Sequence, residues 1–473
     1  MIYVHWIVFV LYTILAVLAM LAVLMDNRQP AKTIAWLLVL SFVPVLGIIL
    51  YIFFGQNLRR NRKMSQQKTD ILTKRTMLGY VEQHDLIIPE KYRFIINQFS
   101  NQTYALPFKD NETDIYTDGH SFFLALLKEI GRAKNHIHID TYIIDDDPLG
   151  RLITDALIDK AREGVEVRMI YDDVGSWKTK NRFFDRMRAA GIKVYPFMPV
   201  RFPAFTSKVN YRNHRKICIF DGTTGFIGGM NIAMRYVYGR NSQAWRDTHL
   251  RIRGNAVYGL QWAFLVDWYF LSREQITDRK YYPKQQTKHN GCLMQIVLGG
   301  PMTEWPVLEQ GYVRILLEAK QYVYIETPYF LPTEPVLFAM RTAAQADIDV
   351  RLIMPKKGDA IFVEWASRTY LRDVAEAGVR VYLYEAGFNH SKLLVCDDSL
   401  ASCGSANVDF RSFENNFEAN AFIYDKPLAM RLKKVFMDDL KQSTLLDEDT
   451  EIHRQPFVSR LWESLVRLLS PLL

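Results

Sequence analysis

The soluble part of this chain carries the same order of sequence elements twice, and this duplication limits its fold more than any other feature. The repeat distance stays between 183 and 187 residues, which indicates a duplicated domain rather than a solenoid. Each copy alternates helical stretches with short Val/Ile-rich strands, which predicts an α/β sandwich in each half. The matched segments are 133–144 with 319–330, 165–170 with 348–353, and 190–195 with 377–382.

Each half carries the same short motif after its third matched segment. In both halves a Lys lies two residues after the His, an Asp lies seven residues after it, and an Asn lies seventeen residues after it. The residues between Lys and Asp are apolar, which predicts a β-strand that holds His and Lys on one face. We place the motif aspartates in the catalytic set, although their position after the strand also favours a role in fixing the turn. The motif residues are His214, Lys216, Asp221 and Asn231 in the first half and His390, Lys392, Asp397 and Asn407 in the second.

These residue types supply what the cleavage of a phosphodiester needs. The reaction requires a nucleophile, an acid for the leaving alkoxide, and positive charge around the non-bridging oxygens. A histidine serves as nucleophile or acid, a lysine supplies charge, and an asparagine donates a neutral hydrogen bond to the phosphate. Two motifs that face each other across a pseudo-twofold axis form one complete site. Because two lysines supply the charge, we expect neither a metal ion nor another cofactor.

Each imidazole also needs a partner that fixes its tautomer and orientation. Asp247 follows His214 by 33 residues and Glu418 follows His390 by 28, so these two carboxylates are the candidates for histidine-orienting residues. The alternative for either is an ordinary surface carboxylate. His249 has no matching histidine in the second half, which argues against a catalytic role for it.

The paired motifs resemble the HxK…D…GGxN pattern of the phospholipase D superfamily, over about residues 116–440. Two N-terminal apolar segments, the basic residues after them, and the runs at 245–249 and 327–330 are similar to the bacterial cardiolipin synthases of that superfamily. The resemblance implies transfer of a phosphatidyl group between two phosphatidylglycerol molecules, with release of glycerol through a phosphohistidine. By that pattern one of His214 and His390 is the nucleophile and the other is the acid. We favour His214 as the nucleophile.

Other functions remain open for the same residues. A hydrolase or transferase that acts on another phospholipid, such as phosphatidylethanolamine, would use the same groups. A membrane-bound nuclease is a further alternative, because the same chemistry cleaves DNA in relatives. An inactive membrane scaffold is disfavoured, since both motifs are complete.

The N-terminus holds two long apolar segments. Residues 3–25 and 33–55 each contain 23 residues without Asp, Glu, Lys or Arg. As helices each would be about 35 Å long, enough for the ~30 Å hydrocarbon core of a bilayer. The cluster of basic residues that follows the second segment places that flank in the cytoplasm. We therefore predict two transmembrane helices in the cell membrane, with the catalytic domains cytoplasmic.

The net charge of +8 is concentrated next to these segments. Residues 59–75 contain seven basic residues and one acidic residue, so they hold +6 of the total. A basic belt beside a membrane span is typical of contact with anionic lipid, where each basic residue contributes ~1 kcal/mol. The nearly neutral remainder argues against nucleic acid as a partner. The expected partners are phosphatidylglycerol and anionic membrane lipid.

The predicted fold is therefore α/β: two N-terminal transmembrane helices followed by a duplicated phospholipase D-type sandwich that forms one pseudo-twofold catalytic unit. The C-terminal stretch from residue 457 has the spacing of an amphipathic helix, which lies on a membrane or packs on the catalytic body or a partner. The predicted domains are 1–57 (membrane anchor), 58–115 (basic juxtamembrane segment and linker), 116–285 (first half), 286–440 (second half) and 441–473 (amphipathic tail).

Overall fold

The N-terminal region contains one long apolar helix. The computed structural model describes residues 2–25, 30–43, 45–51, 55, 88–200, 210–239, 245–285, 291–446 and 456–470. Within these ranges a single helix, at His5–Met25, is long and apolar enough to cross a membrane. The basic belt at residues 59–75 lies outside the described residues.

The second apolar segment does not form one continuous helix. It contains α2, which ends at Phe42, and the short α3, which begins at Leu46 after Val45, a residue with a φ of 63°. In the sequence Pro44 lies between these two helices, and proline has no backbone N–H and disfavours helical geometry in the residue before it. A helix of 13 residues covers ~20 Å, less than a hydrocarbon core. The structure thus supports one candidate span and does not confirm the second. The N-terminal helices are α1 (Ile2–Met25), α2 (Pro30–Phe42) and α3 (Leu46–Leu50).

The first half begins after a helix that precedes its sheet. Strands and helices then alternate as the sequence predicts. The elements are α4 (Arg93–Thr103), β1 (Phe108–Tyr116), α5 (Gly119–Arg132), β2 (His136–Thr141), α6 (Pro148–Arg162), β3 (Glu166–Asp172), α7 (Asn181–Ala189), β4 (Lys193–Phe197), β5 (Lys216–Phe220), β6 (Thr224–Gly228), β7 (His249–Gly254) and α8 (Val257–Ser272).

The second half repeats this order and adds three short strands, β10, β15 and β17, and a terminal helix. Its elements are β8 (Cys292–Gly299), α9 (Val307–Glu318), β9 (Tyr322–Glu326), β10 (Phe330–Leu331), α10 (Glu334–Gln345), β11 (Asp349–Pro355), α11 (Ile361–Ala375), β12 (Arg380–Tyr384), β13 (Leu393–Cys396), β14 (Leu400–Gly404), β15 (Val408–Asp409), β16 (Glu418–Ile423), α12 (Lys426–Leu440), β17 (Ser443–Leu445) and α13 (Phe457–Arg467).

Both halves contribute to one sheet, which in the described residues has fifteen strands. Strands β1 and β8 pair antiparallel at its centre. Outward from β1 the order is β7, β6, β5, β2, β3, β4, and outward from β8 it is β16, β14, β13, β9, β11, β12, β17. Corresponding strands therefore lie at equal distances from the centre, and the predicted duplicated α/β fold is confirmed.

Helices cover both faces of this sheet. On one face a single apolar core runs across both halves beneath α8 and α12, and it includes Phe264 and Trp268 of α8 and Leu432 and Phe436 of α12. On the other face each half has its own core under its remaining helices. The shared core fixes the two halves against each other, because burial of apolar area is the main favourable term in folding.

Two segments outside the predicted halves belong to the folded body. Helix α4, in the segment assigned to the linker, buries Ile95, Ile96 and Phe99 in the core of the second half. Strand β17, in the segment assigned to the tail, pairs antiparallel with β12. The catalytic body therefore extends beyond the sequence-based limits at both ends.

Candidate active site

The segment before each motif histidine is hydrogen-bonded to the other half of the chain. The backbone N–H of His214 donates to the Phe417 carbonyl (2.9 Å), and the N–H of Phe417 donates to the Arg212 carbonyl (2.8 Å). In the same way, the N–H of His390 donates to the Arg246 carbonyl (2.6 Å). These short bridges bring the two motifs together at the centre of the sheet.

Both predicted orienting carboxylates contact an imidazole, but they are exchanged between the halves. Nδ1 of His214 lies 2.9 Å from Oε1 of Glu418, and Nδ1 of His390 lies 2.6 Å from Oδ2 of Asp247. The sequence spacing leaves open which carboxylate serves which histidine. The bridges place each carboxylate next to the histidine of the opposite half. All four side chains are buried.

Burial favours the neutral form of both imidazoles. It lowers the pKa of His214 to about 4, with the Glu418 carboxylate opposing the shift. Burial also lowers the pKa of His390 well below its ordinary value, and Lys392, Lys216 and His214 lower it further. Because the lysine of the other motif also lowers the pKa of each histidine, the two motifs form a single electrostatic site. With Nδ1 bound to a carboxylate, Nε2 is the nitrogen left for chemistry.

The two motif lysines are buried and donate to the backbone of their own motif. Nζ of Lys216 donates to the His214 carbonyl at 2.6 Å, and Nζ of Lys392 donates to the His390 carbonyl. Burial lowers the pKa of Lys216 to about 7 and that of Lys392 to about 8, with Glu418 and Asp247 opposing. An anionic phosphodiester between them would favour their charged forms and so raise both pKa values.

The motif asparagines are held by their own half. Asn231 accepts from the Ile143 N–H (3.2 Å) and donates through Nδ2 to the Tyr236 hydroxyl (2.9 Å). Asn407 donates through Nδ2 to the Asp409 carboxylate (2.9 Å). A side-chain amide carries two N–H groups, so each asparagine has a second N–H group besides the one in these bonds.

The small residue after the first motif glycine differs between the halves for a steric reason. A Cβ at Gly229 would lie 2.1 Å from Oδ1 of Asp247, so no side chain fits there. The equivalent residue in the second half, Ser405, donates its hydroxyl to Oε2 of Glu418 at 2.5 Å. The two halves thus fix their carboxylates differently, by close packing in one and by a hydrogen bond in the other.

Asp221 and Asp397 do not lie at the histidines. Each follows its strand, about 20 Å along an extended chain from the motif histidine. Asp221 accepts from the backbone N–H groups of residues 134–136 at 2.7 to 2.9 Å, and Asp397 accepts from those of residues 320–322 at 2.7 to 3.0 Å. Their place in the catalytic set is therefore corrected: both carboxylates fix the turn that leads into the neighbouring strand.

His249 has a structural role that Asn420 fills in the second half. Nδ1 of His249 accepts from the Met230 N–H (3.4 Å), and Oδ1 of Asn420 accepts from the Ala406 N–H (3.2 Å). Both bonds hold the turn just before the motif asparagine. Burial lowers the pKa of His249 to about 3, so it stays neutral. The second half has no histidine that matches His249, and the structure agrees, because Asn420 fills the same structural role there.

Aromatic residues that the sequence analysis missed complete the site. The ring of Tyr142 stands edge-on to His214 with centroids 4.8 Å apart, and Nζ of Lys216 lies 5.1 Å from the same ring. The Tyr236 hydroxyl lies 3.3 Å from Nδ1 of His390, and the rings of Trp245 and His390 are 5.2 Å apart. Tyr142 directly follows Ile139-Asp140-Thr141 in the matched segment 133–144, where the second half has Ile325-Glu326-Thr327, and this match is a signal that could have identified it. Tyr236 has no such signal, because Ser412 takes its position in the second half.

Comparison with known proteins agrees with this geometry. The model of the family described as "Cardiolipin synthase, PLD-like domain" matches residues 126–248 and 312–440, together more than half of the chain. A second model, "Phospholipase_D-nuclease N-terminal", matches residues 14–56. The first matched range lies within the first structural half and the second lies within the second half.

Relatives match over nearly the whole length. Cardiolipin synthase 2 of Bacillus cereus is 42% identical over 471 residues, which cover 98% of this chain and 91% of that protein. The major cardiolipin synthase ClsA of Bacillus subtilis is 41% identical over 469 residues, with 95% of both chains covered. The phosphatidylserine synthase of Haemophilus influenzae shares the fold, with a TM-score of 0.61 at 15% identity over 81% of this chain and 100% of that one. The chain belongs to the cardiolipin synthase family of phospholipase D-like phosphatidyltransferases.

Proposed function

We propose that this chain joins two phosphatidylglycerol molecules into cardiolipin and glycerol, with His214 as the nucleophile and His390 as the acid and base. Lys216, Lys392 and the motif asparagines would surround the non-bridging oxygens. The observation that carries the proposal is the exchange of carboxylates. Because each half supplies the partner of the other half's histidine, neither half holds a complete site alone.

In the first step Nε2 of His214 attacks the phosphorus of one phosphatidylglycerol. The bond from phosphorus to the headgroup glycerol oxygen breaks, and His390 gives that oxygen a proton. The phosphatidyl group is then bound to His214. Attack requires a neutral imidazole, which the low pKa of His214 supplies. His390 can take up the proton it donates as substrate enters, because a nearby phosphodiester anion favours the imidazolium.

In the second step the roles of His390 reverse. It accepts the proton of a headgroup hydroxyl on a second phosphatidylglycerol, and that oxygen attacks the phosphorus on His214. The bond from phosphorus to nitrogen breaks and cardiolipin leaves. Glu418 would remain ionised throughout, since His214 and Lys216 lower its pKa against the effect of burial. An ionised carboxylate at Nδ1 stabilises the positive charge that His214 acquires as it forms its bond to phosphorus.

The proposal includes the placement of the chain in the membrane. We infer two spans, residues 3–25 and 33–55, with the catalytic body and the basic belt on the cytoplasmic side. The long helix α1 and the match of residues 14–56 to an N-terminal family model support an anchor. Labelling of single cysteines placed at residues 28 and 60 in intact cells tests the topology. The two-span arrangement requires only the first to react with an impermeant reagent.

A product analysis tests the reaction itself. Purified full-length protein is supplied with phosphatidylglycerol in vesicles, and lipids and glycerol are identified by mass spectrometry. We expect cardiolipin and glycerol in equal amounts. Phosphatidic acid alone would identify a hydrolase, and synthesis only with added phosphatidylethanolamine would identify another donor.

Variants and a binding assay address the remaining alternatives. His214→Ala and His390→Ala should each abolish the product, whereas a scaffold would keep its cellular role in both variants. A nuclease would show salt-dependent DNA binding. We do not expect such binding, because the cytoplasmic body has a small net charge. Loss of the product in both histidine variants with no DNA binding would support the transferase.

A further inference from the structure

Helix α13 docks on the catalytic body through the side that carries Glu463, Val466 and Arg467. The buried Glu463 carboxylate lies 3.5 Å from Arg368 and 3.3 Å from Arg372, both on α11. Arg467 pairs with Asp373 of the same helix at 3.5 Å. Because these charged groups lie on one side of α13, their contacts fix the rotation of the helix about its axis.

The opposite side of α13 is apolar and exposed. At 100° per residue, the apolar side chains of α13 other than the buried Val466 occupy an arc that faces away from Glu463. Each is between 44% and 77% exposed, and soluble monomers seldom expose a contiguous apolar patch of this kind. This apolar stripe consists of Phe457, Val458, Leu461, Trp462, Leu465, Leu468 and Leu469.

The apolar stripe continues onto α11. The Trp462 ring meets Trp365 edge-on with centroids 5.9 Å apart, and Trp365 lies 5.5 Å from Phe362, which is exposed. Arg460 is exposed on the side of α13 next to the stripe. An apolar face bordered by tryptophan and arginine is typical of a helix in the headgroup region of a bilayer, where indole rings and basic groups meet anionic lipid.

Helix α11 also connects the stripe to the active site. Val363, Ser367 and Leu371 of α11 line a pocket of about 390 Å³, and Tyr329 also lines it. The Tyr329 and His390 rings are 6.4 Å apart. A bilayer in contact with α13 would therefore lie close to a pocket that reaches the surroundings of a motif histidine.

We propose that α13 lies in the bilayer interface, with the apolar stripe in the acyl region, and holds the α11 pocket against the lipid surface. The proposal rests on a function in which substrates come from a bilayer. Helix α1 anchors the chain but leaves the orientation of the catalytic body free. A second, interfacial contact would fix that orientation.

Depth measurement with spin labels tests this directly. The four native cysteines are buried and burial raises each thiol pKa, so they should not react with a label. Full-length Leu461→Cys, Leu465→Cys and Ser464→Cys proteins are labelled in vesicles of phosphatidylglycerol and phosphatidylethanolamine. Collision rates are measured with oxygen, which concentrates in lipid, and with a water-soluble nickel chelate.

We expect labels at residues 461 and 465 to collide with oxygen more often than with the chelate, and the label at 464 to show the reverse. Access of the chelate to all three would mean that α13 lies in water and would overturn the proposal. Spectral broadening that disappears on dilution with unlabelled protein would mean that a second copy covers the stripe, and would also overturn it.

Activity separates this proposal from the proposed reaction. The Leu461→Glu/Leu465→Glu variant should lose at least tenfold in cardiolipin synthesis on vesicles but keep its rate on short-chain phosphatidylglycerol below its micelle concentration. The Leu461→Ser/Leu465→Ser variant should lose less. Equal rates of the glutamate variant and the unmodified chain on vesicles would contradict the inference. A chain that makes no cardiolipin from either substrate but shows lipid depth at 461 and 465 would contradict the reaction alone.

Discussion

The Nδ1 atom of His390 lies 2.6 Å from Oδ2 of Asp247, a carboxylate that the other half of the chain supplies. The reciprocal bond joins His214 to Glu418. Backbone hydrogen bonds join the same segments that carry each histidine and its carboxylate. Both halves of the chain therefore contribute to each histidine–carboxylate pair.

Neutral amides at the two carboxylate positions should impair the reaction without unfolding the protein. Asp247→Asn and Glu418→Gln keep the side-chain volume but lose the charge that fixes the imidazole tautomer, so we expect the initial rate to fall by about 10²–10⁴-fold. The measurement is cardiolipin formation on phosphatidylglycerol vesicles. Asp438→Asn, on the exposed end of α12, is the control and should keep the full rate. A loss of less than about tenfold in both site variants would show that these carboxylates do not orient the histidines.

The positions of Gly229 and Ser405 should respond unequally to substitution. In Gly229→Ala the new Cβ would press on the Asp247 carboxylate, and we expect a fall of at least about 100-fold in rate. Ser405→Gly removes one hydrogen bond to Glu418, worth ~1.5–3 kcal/mol for a charged acceptor, which corresponds to about 10–100-fold. Circular dichroism should be unchanged in both. A larger loss in Ser405→Gly than in Gly229→Ala would contradict the steric account.

Asp221 and Asp397 should matter for stability and not for chemistry. Each accepts three backbone N–H bonds that alanine cannot replace, so we expect Asp221→Ala and Asp397→Ala to lose about 1–3 kcal/mol of unfolding free energy each. Thermal unfolding measures this loss. The rate per folded molecule, assayed well below the unfolding temperature, should stay within about twofold. A large loss of rate in fully folded protein would return these residues to the catalytic set.

The acidic pair under the second motif predicts a pH dependence of stability. Glu326 is buried, and burial followed by the nearby Asp439 raises its pKa to about 8, although Arg246 opposes the shift. The pKa of Glu326 in the folded chain lies above its ordinary value near 4.5. The contribution of this group to the free energy of unfolding is therefore fully present below about pH 4.5. It declines by up to ~1.4 kcal/mol per pH unit as the pH rises towards 8.

Removal of the Glu326 charge tests this dependence. The Glu326→Gln variant should lose less stability between pH 5 and pH 8 than the unmodified chain does, as measured by thermal unfolding. Glu385→Gln is the control, because Glu385 is exposed and Lys356 lowers its pKa through a hydrogen bond. Parallel curves for Glu326→Gln and the unmodified chain would contradict the raised pKa.

Much of this architecture follows from local sequence patterns. The repeated order of elements predicts that the two halves share one fold, because a strand or helix of one copy must pack in the same way as its counterpart in the other copy. The motif spacing predicts that His and Lys share a strand face, and the aspartate after the strand indicates a turn. These features depend on residues close together in the chain.

Other features depend on contacts that sequence spacing does not encode. The exchange of Asp247 and Glu418 arises where segments more than 140 residues apart run side by side. Tyr236 reaches His390 only because the two halves meet there. The second apolar segment shows the reverse case. Its helices α2 and α3 are separate although the segment has no charged residue, and the sequence places Pro44, which has no backbone N–H donor, between them.

The most direct test of the central claim is to map the covalent intermediate. Full-length protein is mixed with phosphatidylglycerol vesicles, quenched under alkaline conditions that preserve a bond from phosphorus to histidine nitrogen, digested and analysed by mass spectrometry. We predict a phosphorus adduct on the peptide that contains His214, absent from His214→Ala and reduced in Glu418→Gln. An adduct on His390, or cardiolipin formation at the full rate in His214→Ala, would contradict the account.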